Sequence, residues 1–168
     1  MHLLKRYTLI GIAFVIIAGT VFHFVYDWSG NNPIVALFFP INESIWEHMK
    51  LGFFPMLFYS FYMHKKLRKS YPCITSGILS GILVNTFSIP IIFYTYTGIL
   101  GTDIFVLDIA TFVLSVLITF YLVYRLTLSC RMQKHTAALL LLVCIVGVCF
   151  IVFTYAPPNI QHLITLFL

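Results

Sequence analysis

One stretch of the sequence, residues 42–50, holds the side chains that could do chemistry: Asn-Glu-Ser-Ile-Trp-Glu-His-Met-Lys. It contains two of the five carboxylates in the whole chain, and both of its flanks are almost wholly apolar. Ionisable groups at membrane depth are costly, and they usually mark a functional site or a buried ion pair. On a helix, Ser44 and His48 would share one face, with Glu43, Glu47 and Lys50 on a neighbouring one.

A second histidine and a third carboxylate come earlier in the chain. His23 and Asp27 lie four residues apart near the end of an apolar run, so they share one face of a helix. Two imidazoles with carboxylates form the ligand set of zinc, iron and manganese sites. The sequence therefore predicts a divalent metal, with zinc as the first candidate, bound by His23 and His48. Either Asp27 or Glu47 would supply the carboxylate ligand.

The same residues suggest which groups would act in catalysis. A carboxylate that is not a ligand could serve as general base for a metal-bound water, which makes Glu43 and Glu47 candidate catalytic residues. Ser44 joins them because it shares a helix face with His48. Five further residues would support the site as a helix cap, an interfacial anchor or polar neighbours: Asn42, Trp46, Lys50, Asn85 and Asp108.

A plainer interpretation of these groups stays open. His23 with Asp27, and Glu47 with Lys50, would then be simple ion pairs that hold helices together. Trp46 would then be only an anchor at the membrane interface, where Trp is enriched. His162 would reach the site only if the C-terminal tail folds back.

The composition excludes a soluble domain. The chain has 168 residues, of which 61% are hydrophobic and 9% are charged, and its mean hydropathy is +1.00. A soluble globular domain carries about 25% charged residues. A helical span needs about 20 apolar residues, so several spans leave no room in 168 residues for a separate soluble domain. Residues 1–168 are therefore expected to form a single integral membrane domain. Nucleic acid is not an expected partner, because the basic residues lie in short loops between spans. The expected partner is the lipid bilayer.

Apolar runs predict an all-α bundle of about five transmembrane helices: 7–26, 43–64, 72–96, 103–124 and 136–155. The second would start after Asn42 as its N-cap. The apolar piece Ile34–Phe39 lies between two prolines and is too short to span, which predicts a re-entrant segment before the second helix. Gly77 and Gly81 are spaced to let another helix approach closely. A polar stripe of the fourth helix should face the bundle: Asp108, Thr111, Ser115 and Thr119.

Charge predicts a multi-pass protein of the cell membrane with a cytoplasmic N-terminus. In that orientation nine of the ten basic residues lie inside, as the positive-inside rule requires: Lys5, Arg6, Lys65, Lys66, Arg68, Lys69, Arg125, Arg131 and Lys134. The acids lie towards the outer side. Cys73 and Cys130 fall near the cytoplasmic face, where thiols are expected to stay reduced.

The segment 42–48, followed by Lys50-Leu51 and Phe54-Pro55, resembles a family of small bacterial integral membrane proteins that carries an N-E-S-x-W-E-H motif. The family is functionally uncharacterised, so the resemblance implies a membrane location and little else. The residues themselves favour a metal-dependent hydrolase or transferase acting on a lipid or lipid-linked substrate. Two alternatives stay open: proton- or cation-coupled transport or a channel, and a non-catalytic membrane subunit with a structural polar cluster.

Overall fold

The computed structural model describes residues 2–156, which form a helical bundle with no strand among them. Five long α-helices and one short one lie in this part of the chain: α1 His2–Trp28, α2 Pro33–Ala36, α3 Ile45–Leu67, α4 Ile74–Leu100, α5 Phe105–Ser129 and α6 Thr136–Tyr155. A 3-10 turn, Gln133–His135, directly precedes α6. The predicted all-α membrane bundle is confirmed. The tail from residue 157 onward, with His162, lies outside the described residues, so the expectation for that histidine stays untested.

Within residues 2–156, four helices are long and apolar enough to cross a membrane: α1, α4, α5 and the segment Gln133–Tyr155. The fifth long helix, α3, is not among them, and it carries the charged residues Glu47 and Lys50. It packs against α1 and α4 and, over a smaller area, against α6. Thirteen of its 23 residues are buried, against four of 20 in α6, so protein rather than lipid surrounds much of α3.

Small residues let α4 and α5 pack closely. A Cβ atom on Gly81 would lie 2.3 Å from Val123 Cγ2, and one on Gly77 would lie 2.5 Å from Thr127 Oγ1. The predicted close approach at this glycine pair is confirmed. The polar stripe of α5 also faces inwards as predicted, since three members are buried and Asp108 is half-buried: Thr111, Ser115 and Thr119.

The segment between α1 and α3 folds mostly as irregular backbone. Its one helical piece, α2, has four residues and is capped by the Asn32 side chain, which accepts a hydrogen bond of 2.9 Å from the Ile34 amide. The end of α6 holds this piece, because the Tyr155 hydroxyl donates to the Pro33 carbonyl.

The start of α3 differs from the prediction. The helix begins at Ile45 with Ser44 as its N-cap, whose hydroxyl accepts from the Glu47 amide at 3.3 Å. Asn42 instead accepts from the Ser44 amide at 2.9 Å. An Asn side chain readily bonds the amide two residues on, and this local turn competes with the helix. Glu43 therefore lies in the loop.

The expectation of free thiols at the basic end is wrong for the state that the structure shows. Cys73 immediately precedes α4 and Cys130 immediately follows α5, and the two form a disulfide with their Cα atoms 5.3 Å apart. The cysteines are 57 positions apart, so no local spacing indicates the pairing. The antiparallel packing of α4 on α5 brings them together.

Candidate functional site

Two histidines and one glutamate meet at the end of the bundle opposite the basic loops. Glu43 Oε2 lies 3.3 Å from His48 Nε2 and 3.7 Å from His23 Nε2. The three ligand atoms all lie within 4.8 Å of one another. His23 comes from α1, Glu43 from the loop and His48 from the first turn of α3, so three separate pieces of chain build this triad. The group could hold a metal ion.

The spacing of the triad suits a small cation. In a tetrahedral site with zinc–nitrogen bonds of about 2.0–2.1 Å, neighbouring ligand atoms lie roughly 3.3–3.4 Å apart. The contact from Glu43 to His48, at 3.3 Å, already has this separation, and the contact to His23, at 3.7 Å, is slightly longer. Two imidazoles and one carboxylate are also a set that zinc, iron and manganese sites use.

The orientation of the His48 ring bears directly on metal binding. Its Nδ1 lies 2.9 Å from the Ser44 carbonyl oxygen, which can only accept, so Nδ1 carries a proton and donates it. Its Nε2 faces the Glu43 carboxylate, which is also an acceptor when ionised. That contact is favourable only if a proton or a cation lies at Nε2. A backbone carbonyl on the far nitrogen is the usual partner of a metal-ligating histidine.

The triad is open on one side. The exposed fraction of the side chain is 79% for Glu43, 36% for His23 and 25% for His48. A cleft of about 190 Å³ adjoins it, lined by His23, Phe24 and Asp27 of α1 and by residues 40–43 of the loop. The arrangement leaves room for water or a small polar group beside His23 and Glu43.

Glu47 and Lys50 form a second polar cluster, the buried pair. Lys50 Nζ lies 2.8 Å from Glu47 Oε2, and the two side chains are 0% and 3% exposed, respectively. The ammonium also donates to the Ala36 carbonyl at 3.1 Å and to Thr154 Oγ1 at 2.6 Å. All three of its donors are thus used, which is what a buried charge requires. Glu47 is committed to this pair and is not in the triad.

The buried pair also anchors the loop that carries Glu43. Glu47 Oε2 accepts a hydrogen bond of 3.1 Å from the Ile41 amide, two residues before Glu43. Lys50 holds the loop from its other end through Ala36, and it ties both to α6 through Thr154. The loop is therefore fixed at Ala36 and Ile41 by side chains of α3, the helix that also carries His48.

The other predicted site residues lie in different surroundings. Asp27 lines the cleft but is outside the triad. Ser44 and Asn42 shape the start of α3, as described above. Trp46 packs on two aromatic rings of α6, with centroid distances of 4.8 Å and 5.4 Å. Its ring therefore contacts another helix of the bundle, in addition to any contact with the membrane interface.

Two supporting residues join helices away from the triad. Asn85 is buried and donates to the Gly52 carbonyl at 3.0 Å, which joins α4 to α3. Asp108 accepts from the Tyr96 hydroxyl and so fastens the start of α5 to α4. Neither belongs to the triad.

Sequence reasoning named Glu43 as a catalytic base and did not name it as a ligand. A signal was present: Ser44-x-x-Glu47 is the pattern of a capping box, which starts a helix at Ser44 and leaves Glu43 outside it. Thr154 and the Ala36 carbonyl, the other partners of Lys50, were missed as well. Thr154 is 104 residues from Lys50, and no local pattern relates them.

Comparison with known protein families gives a match over almost the whole chain. Residues 1–166 match the model of a family described as a family of unknown function (DUF6512). No curated protein and no solved structure matches the chain.

Proposed function

The chain belongs to DUF6512, a family of unknown function, and from the geometry of the triad we propose that it binds a divalent cation through His23, Glu43 and His48. Zinc is the first candidate. We further propose that the bound cation serves a hydrolase or transferase reaction on a lipid or lipid-linked substrate. The observation that carries the proposal is the meeting of three ligand atoms within 4.8 Å from three separate pieces of chain.

The donor set of the triad, two imidazoles and one carboxylate, suits a divalent ion. With both imidazoles neutral, the three ligands carry one negative charge, so a divalent cation leaves one positive charge uncompensated. Catalytic zinc sites typically have three protein ligands and keep the fourth position for water or substrate. The adjoining cleft supports this assignment, because it offers space beside two of the ligands, His23 and Glu43.

Asp27 is the carboxylate best placed to act as general base in this proposal. It lines the same cleft as His23 and Glu43 and is not a member of the triad. Among residues 2–156 it forms no salt bridge, so its carboxylate remains available to accept a proton from a bound water. Glu47 acts through the loop, by holding Glu43 in place.

The surroundings of the cleft support a substrate with an apolar part. Phe24, which lines the cleft, is 48% exposed, and Trp28, one turn further along α1, is 71% exposed. Exposed aromatic rings at the end of an apolar helix are typical of the membrane interface. A headgroup in the cleft would leave its acyl chains beside α1.

Cation transport is the second candidate, supported by polar groups inside the bundle. Asn85 Oδ1 and Thr119 Oγ1 are buried and have no hydrogen-bond partner within the part of the chain that the structure describes. Such groups could accept a passing cation or water. The triad would then be the entry site.

A lipid turnover assay separates the two functions. Purified protein, supplied with zinc, is incubated with vesicles of mixed membrane lipids, and the products are identified by mass spectrometry. We expect a new product from the native protein and its loss in Glu43→Ala. Equal product levels in both proteins would refute the catalytic proposal. A zinc flux into protein-containing vesicles, with no lipid product, would favour transport.

A further inference from the structure

We propose that Cys130 and Cys73 form a redox modification site at the basic end of the bundle. In this site Cys130 reacts with a peroxide and Cys73 resolves the product to the disulfide. The pair lies at the opposite end of the helices from the triad, and the inference does not depend on the proposed function.

The two cysteines lie where the start of α4 packs against the end of α5. Their Cα atoms are 5.3 Å apart, inside the range of about 4.4–6.8 Å that a disulfide needs. One turn into α4, a Cβ atom on Gly77 would lie 2.5 Å from Thr127 Oγ1, three residues before Cys130. The absence of a side chain at Gly77 therefore lets the start of α4 lie close against the end of α5. A reduced pair is therefore ready to close with little movement.

The two cysteines differ in accessibility, which assigns their roles. Cys130 is exposed, whereas Cys73 is only 5% exposed. Cys130 is followed directly by Arg131, and the basic residues Arg125 and Lys134 lie close to it in sequence. The thiolate is the form of a cysteine that attacks a peroxide, and it must be accessible to do so. An accessible thiolate beside a resolving cysteine is the arrangement of redox sensors.

The predicted orientation explains why the bond should be reversible. The positive-inside rule places this end of the bundle in the cytoplasm, where permanent disulfides are rare. Disulfides that do form there are usually transient and serve catalysis or redox sensing. A pair at this end is therefore expected to alternate between its two states.

The chemistry balances with a peroxide as oxidant and a dithiol as reductant. The Cys130 thiolate attacks one peroxide oxygen, the O–O bond breaks, and hydroxide leaves as Cys130 becomes a sulfenic acid. The Cys73 thiol then attacks the Cys130 sulfur, the S–O bond breaks, and water leaves as the disulfide forms. A dithiol protein reduces the bond by two thiol–disulfide exchanges and is itself oxidised to a disulfide.

Thiol counting in cells tests the proposal. The full-length protein carries Cys144→Ala and Cys149→Ala, so that only Cys73 and Cys130 can react with a thiol reagent. Cells are quenched in acid, and a polyethylene-glycol maleimide adds a gel shift for each free thiol. We expect two shifts in unstressed cells, none after hydrogen peroxide and two again after dithiothreitol. In Cys73→Ser, a dimedone probe should trap the Cys130 sulfenic acid. In Cys130→Ser, the Cys73 thiol should survive the same peroxide dose.

Three results would overturn the proposal. If neither cysteine reacts with the maleimide before any peroxide treatment, the disulfide is permanent and structural, and the basic end lies in an oxidising compartment. Two shifts that persist after peroxide would show that the pair does not close in cells. Trapping of a sulfenic acid at Cys73 in Cys130→Ser, with none at Cys130 in Cys73→Ser, would reverse the assigned roles.

Discussion

Glu43 and Glu47 are four positions apart in the sequence and lie in opposite environments. The Glu43 side chain is 79% exposed and faces two imidazole nitrogens at 3.3 Å and 3.7 Å. The Glu47 side chain is 3% exposed and bonds a lysine ammonium at 2.8 Å. The first carboxylate has no cation among its described neighbours unless a histidine is protonated, and the second is fully paired.

The difference arises from the position of each residue relative to the helix cap. Glu43 precedes the N-cap Ser44, so its backbone belongs to the loop and its side chain can turn back over the first turn of α3. Glu47 is inside that turn and points into the bundle, where Lys50 is one turn away. Two residues of one type thus take up two tasks: Glu43 can bind a ligand from outside, and Glu47 holds the loop.

The largest effect is expected when the buried pair is broken. Glu47→Ala leaves the Lys50 ammonium buried without its anion, and removing one partner of a buried pair costs about 3–5 kcal/mol of unfolding free energy. Glu43→Ala is the matched control, because truncating a largely exposed side chain should change stability by less than about 0.5 kcal/mol. Denaturant titration in detergent micelles measures both. Equal losses in the two variants would remove the distinction between the two glutamates.

A double replacement sharpens the same comparison. Replacing a buried ion pair by apolar residues of similar volume is often neutral, so Glu47→Leu combined with Lys50→Met should regain most of the stability lost by either single change. The loop would still lose its bonds at Ile41 and Ala36. We therefore expect a folded protein with weakened metal binding, measured by competition with a zinc chelator. Metal binding as tight as that of the native protein would show that the buried pair does not position Glu43.

The smallest effect is expected at the cap itself. Ser44→Ala removes the hydroxyl that accepts from the Glu47 amide, and loss of an N-cap side chain costs about 1 kcal/mol. Ser44→Asn should restore most of this loss, because Asn is an equally good cap. No change in unfolding free energy for Ser44→Ala would indicate that other contacts set the start of α3.

The sequence was sufficient for the architecture because hydropathy and charge act over whole helices. The predicted fifth helix, 136–155, coincides with α6, and the close approach at Gly77 and Gly81 followed from residue size alone. The candidate histidines also followed from composition, because His23 and His48 are ionisable groups in apolar surroundings.

The partners of each charged group could not be predicted in the same way, because they depend on the path of the loop and on distant helices. The sequence predicts Asp27 or Glu47 as the carboxylate ligand, whereas the loop brings Glu43 to both imidazoles. The pairing of Lys50 with Thr154 and that of Cys73 with Cys130 likewise depend on helix packing across the bundle.

Metal content tests the central claim most directly. The protein is purified without chelator, and bound metal is measured by mass spectrometry for the native chain, His48→Ala and His64→Ala. His64 lies on the same helix as His48 but at its opposite end, which makes it the matched control. We predict near-stoichiometric metal, most of it zinc, in the native protein and in His64→Ala, and its loss from a folded His48→Ala. A native protein that carries no metal and binds none when zinc is added would contradict the account and leave the triad as a His–Glu ion pair.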